Sequence, residues 1–342
     1  MRRTGRLFEA IVDRDNFQRA FAKALRTKRD RPEARTFAAD LEANLQCLMR
    51  EARAETLELG RSTQFMIREP KPRLITAPCF RERVLHHAIM NVCEPVFEKA
   101  LIDDTYACRV GRGRDAAVLR AREFAGQFPV FLKFDVRKYF DSVSHEVLLD
   151  RLRRRFKDER LHRLFERIVA GHATAEGRGV PIGSLTSQHF ANFYLDGLDR
   201  LAKETLRAAG YVRYMDDVMI WGESTSRLRA WLAVIERFLA DRLRLSLKPS
   251  PYINRTIHGV DFLGLRVFPS HVSLSRRARE RFQRKSALLD FQFDQGVIGQ
   301  EEYQQRATSL TAFTKSYEVK SWRFRHRLLE CEHVGGQGPR TG

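Results

Sequence analysis

Three aspartates in two short apolar segments are the residues of this chain best suited to chemistry. Asp135 ends the apolar segment PVFLKFDV, and Asp216 and Asp217 lie together in YVRYMDDVMIW, whose pattern predicts two strands joined at the acidic pair. Adjacent carboxylates repel each other unless a cation neutralises them. One aspartate from a strand end and two from a hairpin tip can bind a pair of Mg²⁺ ions, the arrangement that supports in-line displacement at phosphorus.

The elements that must position these aspartates alternate between helices and short strands. Residues 1–62 show helical spacing of apolar residues, and residues 64–78 form a proline-punctuated hairpin pattern. Beyond the strand at 130–136, helices are predicted at 144–156, 158–170, 187–206 and 228–243, and a strand pair at 259–267. From about residue 275 the pattern is helical and basic. The fold class is therefore expected to be α+β.

The charge balance points to a polyanionic partner. The 342 residues carry 62 Lys and Arg against 43 Asp and Glu, a formal net charge of +19. Basic clusters lie at 151–157, 276–285 and 315–327, the last interleaved with aromatic side chains. Nucleic acid is the leading partner, since cations that neutralise phosphates release counterions. An acidic membrane surface or acidic protein remains an alternative, and each cluster alone is also consistent with a solvated helix face.

Other classes of protein are disfavoured. The chain has no apolar stretch long enough to cross a membrane and no apolar region of a secretory signal, so we expect an intracellular protein without a membrane partner. Five widely spaced cysteines without a CxxC pair support neither a disulfide framework nor a zinc ribbon. A metal site at Cys331, His333 and His326 is disfavoured because structural zinc sites use tighter, repeated ligand spacing.

A series of spaced motifs resembles the palm motifs of reverse transcriptases. In chain order these are FDVRKYFDS, PIGSLTSQHFANFYL, YMDD and DFLGL, and the likeness covers about residues 64–268. Within the group II intron-like superfamily, the sequence looks most similar to reverse transcriptases of bacterial and phage diversity-generating retroelements. The resemblance implies an α+β right-hand polymerase that makes cDNA from an RNA template.

The resemblance also implies a domain organisation. Residues 1–62 would form a helical N-terminal segment, 63–128 the fingers, and 129–268 the palm, with fingers elements near 150–185. A basic helical thumb would span 269–332, and the glycine-rich tail 333–342 is expected to be disordered.

Carried onto this sequence, the family motifs imply a two-metal site. Asp135 and Asp216 would bind two Mg²⁺ ions, with Mn²⁺ as an alternative, the Val136 carbonyl would complete one coordination sphere, and Asp217 would assist. Lys248 is a candidate for the proton donor to pyrophosphate, although the family pattern has lysines slightly later, where this sequence has Ser250 and Pro251.

The resemblance assigns further residues to the nucleotide. Arg73 is the best candidate for a triphosphate contact, with Lys71 and Arg68 as weaker ones. Phe140 resembles a steric gate that would exclude a 2′-hydroxyl and so select deoxynucleotides, although it is also consistent with an ordinary core residue.

The segment around Gly183 departs from the pattern of most reverse transcriptases. Ile182 stands where most carry Gln, and Gln188 where most carry Pro. The hypothesis is that an apolar Ile182 near the nascent base pair removes a polar contact and relaxes discrimination by about 1 to 3 kcal/mol. The family likeness implies errors opposite template adenines, in mutagenic retrohoming.

The remaining motifs concern the nucleic acid duplex. Phe262, Leu263 and Gly264 resemble the primer-grip hairpin, in which Gly264 is expected to permit close backbone approach. The thumb would contact the template–primer backbone through basic residues of the two C-terminal clusters, namely Arg276, Arg277, Lys315, Lys320 and Arg323.

The implied partners are a template-repeat RNA, the RNA/cDNA duplex, deoxynucleoside triphosphates and an oligomeric basic accessory variability protein. The implied location is the cytoplasm of a bacterial host, with phage or prophage origin as one source. Two alternatives stay open from the sequence: an antiphage-defence reverse transcriptase with the same chemistry, and a non-catalytic RNA-binding module, which would explain the charge but not three well-placed aspartates.

Overall fold

A computed structural model describes residues 4–68, 72–171 and 175–315. The strands in these ranges are β1 (Ser62–Ile67), β2 (Arg73–Pro78), β3 (Val130–Asp135), β4 (Gly210–Tyr214), β5 (Asp217–Gly222), β6 (Tyr252–Arg255), β7 (Val260–Phe262), β8 (Leu265–Val267) and β9 (Val272–Leu274). The helices are α1 (Phe8–Ile11), α2 (Arg14–Leu25), α3 (Pro32–Ala39), α4 (Leu41–Ala54), α5 (Phe80–Glu98), α6 (Arg114–Gln127), α7 (Tyr139–Ser142), α8 (His145–Arg155), α9 (Glu159–Gly171), α10 (Leu185–Tyr194), α11 (Asp196–Arg200), α12 (Thr225–Leu243), α13 (Arg276–Asp294) and α14 (Gln300–Lys315).

The central element is a four-stranded antiparallel sheet with strand order β4-β5-β3-β6. The predicted hairpin at the acidic pair is confirmed as β4 and β5, joined through Met215 and Asp216. Met215 has a positive φ of 57°, which a two-residue hairpin turn with right-handed strand twist requires at one or both central positions. The predicted strand at 130–136 is confirmed as β3, which lies between β5 and β6.

Both faces of this sheet are covered, because side chains alternate between the faces along each strand. Leu132 and Phe134 join the larger core, which also contains Leu239 of α12. Phe131 and Trp221 join a second core with α6 and the small sheet β7-β8-β9. Asp135 follows the alternation of Phe131 and therefore lies on the side of the second core, away from α12.

The N-terminal helices pack onto α5 and share the larger core. Helix α2 begins after Asp13, whose side chain accepts a hydrogen bond from the Asn16 N–H and so caps the helix. The buried Asn16 amide donates to the carbonyls of Ile11 and Ala88, which ties the α1–α2 turn to α5. Polar groups thus fix the register of an otherwise apolar contact.

The predicted helix at 187–206 is broken in the structure. Helix α10 ends at Tyr194, α11 covers Asp196–Arg200, and a π-type turn follows at Leu201–Thr205. Asp196 and Asp199 are both buried and form ion pairs with Arg151 and Arg213 of other elements. The break in the helix therefore coincides with these two ion pairs to other elements, which the helical spacing of apolar residues alone does not reveal.

The C-terminal part begins with the small antiparallel sheet, which adds β9 to the predicted strand pair. Ser275 caps α13, and Ala278 and Phe282 of that helix join the second core. The mixed helix and antiparallel sheet composition confirms the α+β prediction. Across the described ranges no helix is both long and apolar enough to cross a membrane. The expected disordered tail, the third basic cluster beyond residue 315 and the Cys331 site lie outside the described residues.

Candidate active site

The sheet brings the three predicted aspartates together at one end. Asp135 at the end of β3 is the direct antiparallel partner of Asp217 at the start of β5. Directly opposed residues have Cβ atoms about 4.5 to 5.5 Å apart and share a face of the sheet. Asp216 precedes Asp217 in the hairpin turn, so all three carboxylates lie at the same strand ends.

The electrostatic environment couples these carboxylates. Burial raises the pKa of Asp217 to about 6, with the like charges of Asp135 and Asp216 adding to the rise and the Lys133 ammonium opposing it. Burial also raises the pKa of Asp216, again reinforced by Asp135 and opposed by Lys248 and Arg73. The negative charge of Asp135 thus disfavours the ionisation of Asp216 and Asp217, as expected where a cation is to be bound.

Two lysines partly neutralise the site. Lys248 Nζ lies 3.4 Å from Asp135 Oδ1, and the Lys248 N–H donates to the Asp135 carbonyl at 2.9 Å. Lys133 Nζ lies 3.2 Å from Asp217 Oδ2 and donates to the Asp261 carbonyl. Lys248 therefore lies beside the aspartates, and its predicted role as the proton donor to pyrophosphate stays a prediction. Lys133 was not predicted, although a lysine inside an apolar strand is itself a signal of a buried partner.

The oxygen atoms at this site suit a divalent cation, provided that the Lys248 ammonium moves away from Asp135. Within residues 4–68, 72–171 and 175–315, no group of three His, Cys, Asp or Glu side chains stands ready to hold a metal ion. However, Asp217 Oδ1 is buried without a hydrogen-bond partner in the described structure, which leaves an acceptor atom unsatisfied. Carboxylate oxygens are the ligands that Mg²⁺ prefers. A cation bound here would take the place that the Lys248 ammonium holds at Asp135.

A buried ion pair that the sequence analysis missed supports the hairpin. Arg213 on β4 and Asp199 on α11 are both 0% exposed, with Nε to Oδ1 and Nη2 to Oδ2 distances of 2.6 Å. Tyr211 donates its hydroxyl to the same carboxylate, and Arg213 Nη1 donates to Asn192 Oδ1 and to the Met215 carbonyl in the turn. The available signal was an arginine in the otherwise apolar strand YVRYM, since a buried charge needs a partner.

The predicted nucleotide contacts surround the aspartates to different extents. Arg73 is exposed and begins β2. It lies close enough to Asp216 for its positive charge to oppose the rise in the pKa of that carboxyl. Phe140 is half-buried in α7 and packs edge-to-face on Tyr139 at 5.7 Å between ring centroids. Arg68 is an exposed residue directly after β1, and Lys71 lies outside the described residues.

The segment before α10 contacts the β1–β2 hairpin. The Ile182 carbonyl accepts a hydrogen bond from the Thr76 N–H at 2.7 Å. Gly183 has φ +120°, and a Cβ there would meet the Thr76 carbonyl oxygen at 2.8 Å, so glycine is required both by conformation and by close approach. Gln188 in α10 is half-buried, and its side-chain oxygen accepts a long hydrogen bond of 3.7 Å from the Cys108 thiol. Ile182 and Gly183 therefore connect β2 to the segment that leads into α10.

The predicted primer-grip hairpin, formed by β7 and β8, lies near the aspartates, because Lys133 contacts both the hairpin and Asp217. Phe262 is fully buried, and Lys133 Nζ lies 5.7 Å from the centre of its ring. Leu263 and Gly264 form the two-residue turn with φ of +50° and +83°. The positive φ of the turn accounts for a glycine at position 264. Nothing lies within 4 Å of a Cβ placed there, and the close backbone approach expected at Gly264 stays a prediction.

The predicted thumb contacts are only partly described. Arg276 and Arg277 are exposed in the first turn of α13, and Arg276 pairs with Glu280 at 2.8 Å. Lys315 is the last residue of α14, and Lys320 and Arg323 lie outside the described residues.

Comparisons with known proteins identify a family and several relatives of this chain. The family model for "Reverse transcriptase (RNA-dependent DNA polymerase)" matches residues 67–267. Protein YkfC of Escherichia coli is 25% identical over 291 residues, 71% of each chain. The group II intron-encoded protein LtrA of Lactococcus lactis is 25% identical over 138 residues, which are 38% of this chain and 23% of that protein.

Solved structures similar to this chain include telomerases. Apo telomerase from Candida tropicalis aligns with a TM-score of 0.49 and 11% identity, covering 64% of this chain and 49% of that one. Telomerase from Candida albicans aligns with a TM-score of 0.46 and 12% identity, covering 69% and 49%. The family match, which spans more than half of the residues and contains all three aspartates, carries the conclusion: the chain belongs to the reverse transcriptase family of RNA-dependent DNA polymerases, and its mixed helix and sheet fold is that of a right-hand polymerase.

Proposed function

We propose that this chain copies RNA into DNA by two-metal nucleotidyl transfer at Asp135, Asp216 and Asp217. The observation that carries the proposal is the convergence of these carboxylates, one from β3 and two from the β4–β5 hairpin, where burial and the neighbouring negative charge of Asp135 raise the pKa of Asp216 and of Asp217. Such a cluster opposes folding unless it is used to bind cations, which favours a functional reading over a structural one.

Asp135 and Asp216 would hold two Mg²⁺ or Mn²⁺ ions, with the backbone carbonyl of Val136 and the Asp217 carboxylate completing the ligand set. When bound, the two ions lower the pKa of the primer 3′-hydroxyl and neutralise the triphosphate and the pyrophosphate leaving group. Arg73 would orient the triphosphate, because its planar guanidinium can pair with two phosphate oxygens. Lys248, beside Asp135, remains the candidate that returns a proton to pyrophosphate.

Phe140 would select the sugar. Its ring is half-buried near the end of β3, where an aromatic side chain under the ribose would leave no room for a 2′-hydroxyl. Replacement of Phe140 by Ala should therefore raise ribonucleotide incorporation relative to deoxynucleotide incorporation. An unchanged ratio would assign the ring to the core alone.

We further propose that the chain is a diversity-generating retroelement enzyme that copies a template-repeat RNA with errors at adenines and works with a basic accessory variability protein. The support is the Ile182-Gly183-Ser184 segment, whose Ile182 carbonyl accepts a hydrogen bond from Thr76 of β2, the strand that begins with Arg73. Ile182→Gln should lower misincorporation opposite template adenine in a fidelity assay, whereas an unchanged adenine error rate would refute this role for Ile182.

The direct test of polymerase function is primer extension on an RNA template with Asp216→Ala. We expect loss of extension with RNA affinity within about twofold of the unmodified chain, because the substitution removes a cation ligand and not a phosphate contact. Extension at the unmodified rate would favour a non-catalytic RNA-binding module instead.

A further inference from the structure

A cavity of about 750 Å³ lies on the far side of the central sheet from the aspartates. It is formed by α8, the α10–α11 region and α12, and α12 packs on the sheet face opposite to that of Asp135. A ligand in this cavity would therefore not approach the carboxylates. Its volume lies within the range of pockets that bind a nucleotide-sized ligand.

The cavity is lined by more cations than anions. Five arginines line it together with three carboxylates, and the arginines are Arg151, Arg154, Arg155, Arg200 and Arg242. Three of them are paired: Arg151 with Asp196, Arg154 with Asp150, and Arg200 with Glu204. Among the residues that the structure describes, Arg155 and Arg242 have no carboxylate partner, so the lining carries two uncompensated positive charges.

Of the two, Arg155 is the buried one, with only 7% of its surface exposed. Its Nη2 donates to the Val96 carbonyl at 2.9 Å. In the part of the chain that the structure describes, its Nε has no hydrogen-bond partner. Burial lowers its pKa and the neighbouring Arg200 charge adds to that effect, with no carboxylate opposing it. A buried arginine beside a like charge is costly without an anion.

The remaining wall suits a nucleotide rather than a bare ion. Buried Phe193 and half-buried Phe238 supply aromatic surface, and the Arg151 guanidinium lies 5.8 Å from the centre of the Phe193 ring. Gly197 leaves room for this arrangement, since a Cβ there would lie 3.2 Å from Phe238 Cζ and 3.3 Å from Arg151 Nη1. Arginine pairs with phosphate oxygens in a planar, two-pronged geometry.

We propose that this cavity is a second anion site, which binds the phosphate of a nucleotide unit, either free or within an RNA strand that passes behind the sheet. Arg155 and Arg242 supply the uncompensated charge. The Arg154 guanidinium pairs with Asp150 but is 78% exposed at the cavity edge, where it can exchange that exposed partner for a phosphate. The site is separate from the polymerase centre, so it would hold nucleic acid or nucleotide without entering the reaction.

The test compares two double variants with the same loss of charge. Arg154→Gln with Arg242→Gln removes two exposed cavity arginines, whereas Arg229→Gln with Arg237→Gln removes two exposed arginines of α12 that do not line the cavity. The probes are a short oligouridine and ATP, both in EDTA so that cation-dependent binding at the aspartates is suppressed. Thermal unfolding of both variants and primer extension on a preannealed RNA–DNA duplex should match the unmodified chain.

The cavity variant should bind its ligand at least about tenfold more weakly than the control variant, since two charge-assisted contacts are lost. If the ligand is an RNA strand, the slope of log affinity against log salt concentration should also fall by about 1.4, or 0.7 for each lost phosphate contact. Weaker oligouridine binding identifies the strand as the source, and weaker binding of ATP alone identifies a free nucleotide. Equal affinities of the two variants for both probes would overturn the proposal, whether or not the chain extends primers.

Discussion

Asp135 lies directly opposite Asp217 in the antiparallel register of β3 and β5. Like charges at directly opposed positions destabilise a sheet, and here the Lys248 and Lys133 ammonium groups offset part of that repulsion. The same geometry prepares a cation site, because the sheet holds the carboxylates in place before any ion arrives.

Lys248 competes with a divalent cation for Asp135, so its removal should strengthen metal binding. Lys248→Met is expected to tighten Mn²⁺ binding several-fold, since the 3.4 Å ion pair no longer has to be broken. Mn²⁺ titration followed by electron paramagnetic resonance measures this directly. Lys99→Met, which changes an exposed lysine, provides the control. Weaker Mn²⁺ binding by Lys248→Met would show that the ammonium supports the site instead of competing for it.

Arg213 should act as a positioning residue for the hairpin turn, because it bonds both the buried Asp199 carboxylate and the Met215 carbonyl. Arg213→Gln leaves Asp199 as an uncompensated buried charge and should lower the free energy of unfolding by about 3 to 5 kcal/mol. Arg213→Lys retains the charge but loses the two-pronged geometry, so it should fold and yet extend primers more slowly at saturating substrate.

Denaturant unfolding and steady-state extension separate these effects. Rescue of stability by lysine without rescue of the maximal rate is the signature of positioning. A maximal rate for Arg213→Lys equal to that of the unmodified chain would limit the pair to a purely structural role.

The sequence was informative where the signal is local. The period of apolar residues and the acidic pair predicted β3 and the β4–β5 hairpin, because strand alternation and turn chemistry act over a few residues. The meeting of Asp135 with Asp216 and Asp217, which are about eighty residues apart in the chain, was implied by the resemblance of the spaced motifs to reverse transcriptases. Lys133 and the Arg213–Asp199 pair were not predicted. Their partners are distant in the chain, and Asp199 in an apparently continuous helical segment resembles a solvent-facing acid until the tertiary packing is known.

Because His189 is buried, we expect it to lower the free energy of unfolding at acidic pH. Burial lowers its pKa to about 4, and its ring stacks on Phe97 at 6.2 Å between centroids. The folded state therefore binds its proton less readily than the unfolded state, whose ordinary pKa is near 6.5. The stability held by the neutral ring is present above pH 6.5 and is lost as the pH falls toward 4, by up to about 3 kcal/mol.

Denaturant unfolding at a series of pH values measures this loss. His189→Leu should flatten the profile in that window, whereas His258→Leu, at an exposed position, should leave its shape unchanged. A His189→Leu profile as steep as that of the unmodified chain would remove His189 as the cause.

Carboxylates from two separate elements, β3 and the β4–β5 hairpin, are proposed to form one cation site. Mn²⁺ binding to Asp135→Asn, Asp216→Asn and the exposed control Asp141→Asn tests it most directly. Each of the first two substitutions should weaken Mn²⁺ binding at least about tenfold, while Asp141→Asn should bind Mn²⁺ like the unmodified chain. Unchanged Mn²⁺ affinity and stoichiometry in Asp135→Asn would contradict a site shared between β3 and the hairpin.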